Sequence, residues 1–484
     1  MKNKSDIGVI GLAVMGQNLI LNFNDHNFKV SCFNRTTSKV DDFLAKEAKG
    51  TKIKGCYSLE EFCLSLSSPR RILLMVKAGD PVDEFIDLLI PHLEKGDILI
   101  DGGNSFYKDT ERRINFLKQK GIYYLGCGIS GGEDGARHGP SIMPGGSKDA
   151  WPYVKDMFQT IAAKTPKGEP CCEFVGEGGA GHYVKMVHNG IEYGDIQLIC
   201  EASDILSQVL GVDEDELSFI FNQWNKGDLN SFLIEVAANV FSFKDADGKP
   251  LVNKVLDVAM QKGTGKWTAE SSLNEGIPLS MITESVYARY LSALKKQREN
   301  LSKIYKSHTR LCSKDRNIVI GDVEKGLYAA KLISYTQGYM LMMEASKNYK
   351  WHLNFAAIAR MWMNGCIIRS KFLNDIEIAY TKNPNLETLL HDDFFKKAIL
   401  KCNEGWRETI VLATIHHIPN PCFSSALSFF DGITSETLPA NLLMAIRDYF
   451  GAHTYERIDK PRGEFFHTDW TGHGGSVSSK AYNA

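Results

Sequence analysis

The sequence predicts an α/β N-terminal domain on a parallel, doubly wound sheet, then a large all-helical domain with an internal duplication, then a C-terminal tail. Three observations support this. Between residue 6 and about 130, short apolar runs alternate with stretches of helical periodicity, and parallel strands need long crossovers whose helices cover both sheet faces. From 182 to 210 only Gly190 and Gly194 interrupt a helical pattern, and mostly helical periodicity continues to about 436. Beyond Gly451 aliphatic residues are sparse, and the end Gly472-His473-Gly474-Gly475-Ser476-Val477-Ser478-Ser479 cannot build a core of its own, so this segment is either disordered or docks elsewhere. The expected boundaries are 1–178, 179–436 and 437–484.

In chain order, the apolar runs 7–10, 30–33, 72–76, 98–100 and 123–125 are the expected strands of a Rossmann-like domain. The passage 128–146 carries Gly131, Gly132, Gly135, Gly139, Pro140, Pro144 and Gly145, so a loop region is expected there. Helix 182–210 would run ~40 Å, with Gly211 as its C-terminal cap. Gly190 and Gly194 share one face and predict close packing against a neighbour. The duplication rests on Glu201-Ala202-Ser203, Trp224, Gly227, Ser231 and Phe232-Leu233, which recur as Glu344-Ala345-Ser346, Trp362, Gly365, Ser370 and Phe372-Leu373.

The 484 residues suit two or three domains at ~150 residues each. With 43% hydrophobic and 24% charged residues the composition is that of a folded, soluble protein, and no apolar run approaches the ~20 residues that span a bilayer. A net charge of -2 leaves no global positive field for nucleic acid or an acidic membrane. Lys2 and Lys4 before the apolar stretch 7–16 imitate a secretory leader, but a glycine motif explains the same residues better. The 11 Cys, without CxxC pairs and with Cys171 beside Cys172, argue for reduced thiols in a cytoplasmic protein and against a zinc site.

Gly11-Leu12-Ala13-Val14-Met15-Gly16 follows the first strand and opens a helix, the context in which a dinucleotide fingerprint has meaning. Gly11 permits the tight turn, Ala13 is small enough for close approach to a pyrophosphate, and Gly16 lets helix and strand pack. The helix N-terminus offers free N–H groups. The second strand ends at Asn34-Arg35-Thr36, where an acid would hold a ribose 2′-OH; the arginine favours a 2′-phosphate, hence NADP over NAD.

On the long helix, Lys185, His188, Asn189 and Glu192 fall at i, i+3, i+4 and i+7, along one face of an otherwise apolar helix. Seven residues of rise separate Lys185 from Glu192 by ~10 Å, room for a small polyol acid. Burial would lower the lysine pKa and raise the glutamate pKa, suiting proton traffic at two carbons. By contrast, Gly263-Thr264-Gly265-Lys266 lacks phosphate-loop spacing, and Asp245-Ala246-Asp247-Gly248 would need an acid where Leu256 stands to be a calcium loop.

Together, residues 11–16, Asn34-Arg35-Thr36, Met75-Val76-Lys77-Ala78-Gly79, Asp101-Gly102-Gly103-Asn104, Ser130-Gly131-Gly132 and 185–193 closely resemble the decarboxylating 6-phosphogluconate dehydrogenase family. The resemblance continues through Lys262 to Thr268, the Arg289 helix, 438–442 and 447–453, nearly the whole chain. It implies metal-free oxidation of 6-phosphogluconate by NADP, loss of CO2 and release of ribulose 5-phosphate, a step of the pentose phosphate pathway. It implies Lys185 as general base and acid and Glu192 as general acid. Asn104, Ser130, Gly131, Gly132, His188 and Asn189 would surround the carboxylate and hydroxyls, and Tyr193, Lys262, Thr264 and Arg289 the phosphate. Residues 11–16, 34–36, Met75, Val76, Lys77 and Asn104 would hold the coenzyme. Arg447 and His453 would complete the pocket from the second subunit of a homodimer. The second repeat, with Tyr328 opposite Lys185 and Tyr335 opposite Glu192, is expected to be scaffold. The rivals are a non-decarboxylating β-hydroxyacid dehydrogenase, separated by CO2 release, and a silent NADP-binding scaffold.

Overall fold

The computed structural model describes residues 4–261, 263–305 and 314–473. The chain separates into two compact bodies, 1–426 and 427–484. In the first, seven strands form one sheet: β1 (Ile7–Ile10), β2 (Val30–Phe33), β3 (Lys54–Gly55), β4 (Arg71–Leu74), β5 (Ile98–Asp101), β6 (Tyr123–Ser130) and β7 (Ser141–Gly146), in the order β3-β2-β1-β4-β5-β6-β7. β1 to β6 run parallel and β7 pairs antiparallel to β6. Almost every residue of β1, β2, β4 and β5 is buried, as a sheet covered on both faces requires. One face packs Leu19, Ile20 and Phe158, the other Phe62, Val82 and Leu117.

The passage 128–146 departs from the expected loop. β6 runs on to Ser130, a helix spans Gly132–His138, and β7 follows. The glycines here serve contact more than turning: a Cβ on Gly128 would collide with Lys185, and one on Gly145 with the backbone of Gly181.

The long helix spans Ala180–Leu210 and ends on Gly211 at φ 66°, the left-handed cap. Gly190 meets Thr268 and Gly194 meets Ser334 and Met281, the close packing that their spacing predicts. A second long helix, Arg316–Asn348, packs along it. Each is followed by two short helices, Glu214–Trp224 with Phe232–Ser242 and Phe355–Trp362 with Leu373–Lys382, and Ser231 bridges Ser370 where the two sets meet. Across the long pair, buried Lys331 and Asp195 form a 2.6 Å ion pair.

The second body contains helix Ala440–Gly451 and the strand pair Tyr455–Glu456 and Phe465–Phe466. Although the chain beyond Gly451 has few aliphatics, its described part is ordered around a polar centre. Buried Asp448 accepts hydrogen bonds from the backbone N–H groups of Thr454 (2.9 Å) and Thr468 (3.0 Å) and from the Trp470 indole (2.9 Å), with His467 Nδ1 at 3.0 Å. Burial alone would raise the Asp448 carboxyl; these bonds outweigh it and hold the group below its ordinary range.

Candidate active site

The first-strand turn is built as the fingerprint requires. Gly11 sits at φ 108°, and a Cβ there would collide with the carbonyl of Met75 at the end of β4. Gly16 faces the Gly11 carbonyl with no room for a side chain. Helix Val14–Asp25 begins after Ala13 with no side-chain cap, so its first N–H groups face outward. Asn34 braces the turn by accepting from the Leu12 N–H (3.1 Å) and donating to the Thr36 carbonyl (3.0 Å). Arg35 projects into solvent, and exposed Lys77 follows half-buried Met75 and Val76 on the next turn.

Asn104 stands exposed on the turn after β5. Beneath it Asp101 accepts from the Gly103 N–H (3.1 Å), Ser105 Oγ (2.6 Å) and Tyr124 OH (3.0 Å), with Arg113 at 3.4 Å. Buried Arg113 also grips Asp83 through two 2.9 Å bonds. The turn is thereby tied to the sheet and to helix Asp80–Leu89.

Lys185 lies against the glycine gap at 128 and is buried. His188 Nδ1 is 3.4 Å from Lys185 Nζ, 3.2 Å from Asn189 Oδ1 and 3.8 Å from Glu192 Oε2; its Nε2 is 3.2 Å from Ser130 Oγ. The imidazole packs edge-on to Trp362 at 5.7 Å. Gly131, at φ 131°, touches the segment that follows, since a Cβ there would lie 2.7 Å from the Gly365 carbonyl. Helix Gly132–His138 opens immediately afterward.

Electrostatics divide these groups. Burial lowers the Lys185 pKa, opposed by the Glu192 charge. Burial raises Glu192, opposed by Lys185 and Arg289 and assisted by Asp195. Burial and the Lys185 charge hold His188 well below its ordinary value, so it stays neutral. A base with a depressed pKa and an acid with a raised one therefore stand on one helix face.

At the next residue of the helix, the Tyr193 ring centroid lies 3.6 Å from the Arg289 guanidinium, and that ring packs on Gly265. Thr264 opens helix Thr264–Glu275 after Gly263 at φ 96°, with no side-chain cap. Tyr193, Thr264 and Arg289 thus gather beyond Glu192. Lys262 lies outside the described residues. Arg447 and His453 belong to the second body, where the His453 ring lies 6.0 Å from Phe450.

The Arg113 and Tyr124 bonds to Asp101, the Gly365 carbonyl and the Lys331–Asp195 pair carry no local signal, because their partners lie elsewhere in the chain. Trp362 was visible only as a repeat position. No group of three or more His, Cys, Asp or Glu among the described residues could hold a metal.

The fold, with its glycine turn and the Lys185–Glu192 helix face beside it, is that of a dinucleotide-dependent dehydrogenase. Residues 6–176 match the family model described as the NAD binding domain of 6-phosphogluconate dehydrogenase, and 181–470 match that of its C-terminal domain. The chain is 59% identical over 481 residues to the decarboxylating 6-phosphogluconate dehydrogenase of Cunninghamella elegans, covering 99% of each. It is 58% identical over 482 residues to that of Ovis aries, covering 99% of this chain and all of the relative. The Plasmodium falciparum 6-phosphogluconate dehydrogenase, solved in apo form and with NADP+ or 6-phosphogluconate, superposes at TM-score 0.93 with 44% identity, over 96% of this chain and 100% of that one. The chain belongs to the decarboxylating 6-phosphogluconate dehydrogenase family.

Proposed function

We infer that the chain oxidises 6-phosphogluconate at C3 with NADP and releases CO2 and ribulose 5-phosphate. The observation that carries this is the pair on one helix face, buried Lys185 with a lowered and half-buried Glu192 with a raised pKa. The side-chain-free turn at Gly11 and Gly16, the uncapped helix behind it and Arg35 suit a pyrophosphate and a 2′-phosphate. When bound, the nicotinamide supplies the hydride acceptor.

Neutral Lys185 takes the C3 hydroxyl proton as hydride leaves C3. The resulting ammonium polarises the new carbonyl, so that the electron pair of the breaking C1–C2 bond moves into a C2=C3 enediol while Lys185 returns a proton to O3. Glu192 then protonates the original C2, and Lys185 recovers the O3 proton as the ketone forms. Ser130 and Asn189 set the His188 ring, which stays neutral and bonds substrate hydroxyls beside Asn104, Gly131 and Gly132. Tyr193, Lys262, Thr264 and Arg289 hold the phosphate.

We further propose a homodimer in which Arg447 and His453 enter the partner's site. Exposed Leu442, Leu443, Ile446, Tyr449 and Phe450 on one helix, and Tyr287 and Leu291 in the first body, support an apolar interface. A cytoplasmic location suits the ten free, mostly buried cysteines among the described residues; no described helix is long and apolar enough to cross a membrane.

The test is to follow NADPH absorbance and CO2 together with 6-phosphogluconate. Equal amounts of both are expected. NADPH without CO2 would indicate a non-decarboxylating dehydrogenase, and neither would indicate a silent scaffold.

A further inference from the structure

Arg35 is already paired. Its Nη2 lies 2.7 Å from Glu84 Oε2, with the two side chains 61% and 52% exposed, and its guanidinium carbon stands 5.2 Å from the centroid of Phe85. Glu84 and Phe85 are consecutive on helix Asp80–Leu89, whose inner face is fixed by buried Val82, Phe85 and Ile86 and by the Asp83–Arg113 bonds. The carboxylate is therefore delivered to Arg35 by a rigid element, not by a drifting loop.

We propose that Glu84 is a specificity-determining residue: it occupies the guanidinium that a 2′-phosphate must take, and so restrains the preference for NADP over NAD. This rests on the reading of Arg35 as the 2′-phosphate ligand. A carboxylate and a phosphate compete for the same planar fork of donors. A phosphate seated on Arg35 beside Glu84 also meets a like charge, so it must turn Glu84 away. NAD, with only a hydroxyl there, leaves the pair intact. As NADPH departs, Glu84 recaptures Arg35 and assists release.

The pair is solvent-exposed, so its effect is small but measurable. Titration of NADP, NAD and 2′,5′-ADP into the full-length wild type, Glu84→Gln, Arg35→Ala and the double variant, at low ionic strength, tests it. Glu84→Gln should bind NADP and 2′,5′-ADP about two- to fivefold tighter, with NAD unchanged. The gain should vanish in the Arg35→Ala background and shrink in high salt, where the screening length falls to ~3 Å at ~1 M. Unchanged or weaker NADP binding in Glu84→Gln overturns the proposal while leaving Arg35's role standing, provided Arg35→Ala still loses NADP selectively. Equal loss of NADP and NAD in Arg35→Ala overturns both. Matching thermal melts of wild type and Glu84→Gln separate these outcomes from misfolding.

Discussion

Lys185 owes its place to a missing methyl group. Because a Cβ at Gly128 would collide with the Lys185 Cβ, Gly128→Ala should displace the lysine, lowering kcat at least tenfold while thermal stability falls by only a few degrees. Comparing kcat with the melting temperature checks this; a large melting loss with normal kcat would contradict it. The protonation states at the site give a second expectation. Activity should fall at low pH as Lys185 gains a proton and at high pH as Glu192 loses its own, with apparent values that belong to the coupled pair. Glu192→Gln should remove the high-pH limb and slow turnover, yet retain a single-turnover burst of NADPH, since the proposed mechanism assigns hydride transfer to Lys185 alone. Lys185→Met should give no burst. If Glu192→Gln also gives none, the two residues do not act at separate steps.

At the scale of elements, β1 and β2 are legible to the residue because each is a short, largely apolar stretch, interrupted only by small Gly8 or Ser31 and flanked by polar or glycine residues. β6 was read five residues short: Gly126 and Gly128 look like turn residues in sequence but admit His182 and Lys185 in space. β7 was missed for the same reason at Gly145. The stripe 185–192 was legible because helical spacing alone puts it on one face. Arg113 and Lys331 were not, because each becomes meaningful only through an acid brought from elsewhere in the chain. Lys331 corresponds to His188 in the ungapped alignment of the repeats, so the second copy forms a buried ion pair where the first carries the proposed site histidine. Lys331→Met should strand the buried Asp195 carboxylate and cost about 3–5 kcal/mol. Urea unfolding measures this, and the double change Lys331→Met/Asp195→Leu should recover much of the loss. A single variant as stable as wild type would show that the pair does not brace the helices.

For the whole molecule, the shared-site arrangement is testable by subunit exchange. Lys185→Met and His453→Ala homodimers, mixed and allowed to exchange, should form half mixed dimers, each with one intact site, and recover roughly a quarter of wild-type activity. No recovery despite proven mixing would place each site within one chain. The glycine seam between sheet and long helix has a different consequence. Gly126, Gly128 and Gly145 meet His182, Lys185 and Gly181 with no spare atom, so a shearing gap cannot open there without breaking the packing. β6 and β7 lie at that seam, whereas β1 and β2 lie three and four strands away, ~14 and ~19 Å. Any swing of the sheet against the helices must therefore use the seam as its fulcrum. The lever arm ends at Arg35, so such a motion is largest at the Asn34–Thr36 turn and smallest beside Lys185; if these are the two ends of the proposed coenzyme cleft, grip at one end can be adjusted while the geometry at the other is kept.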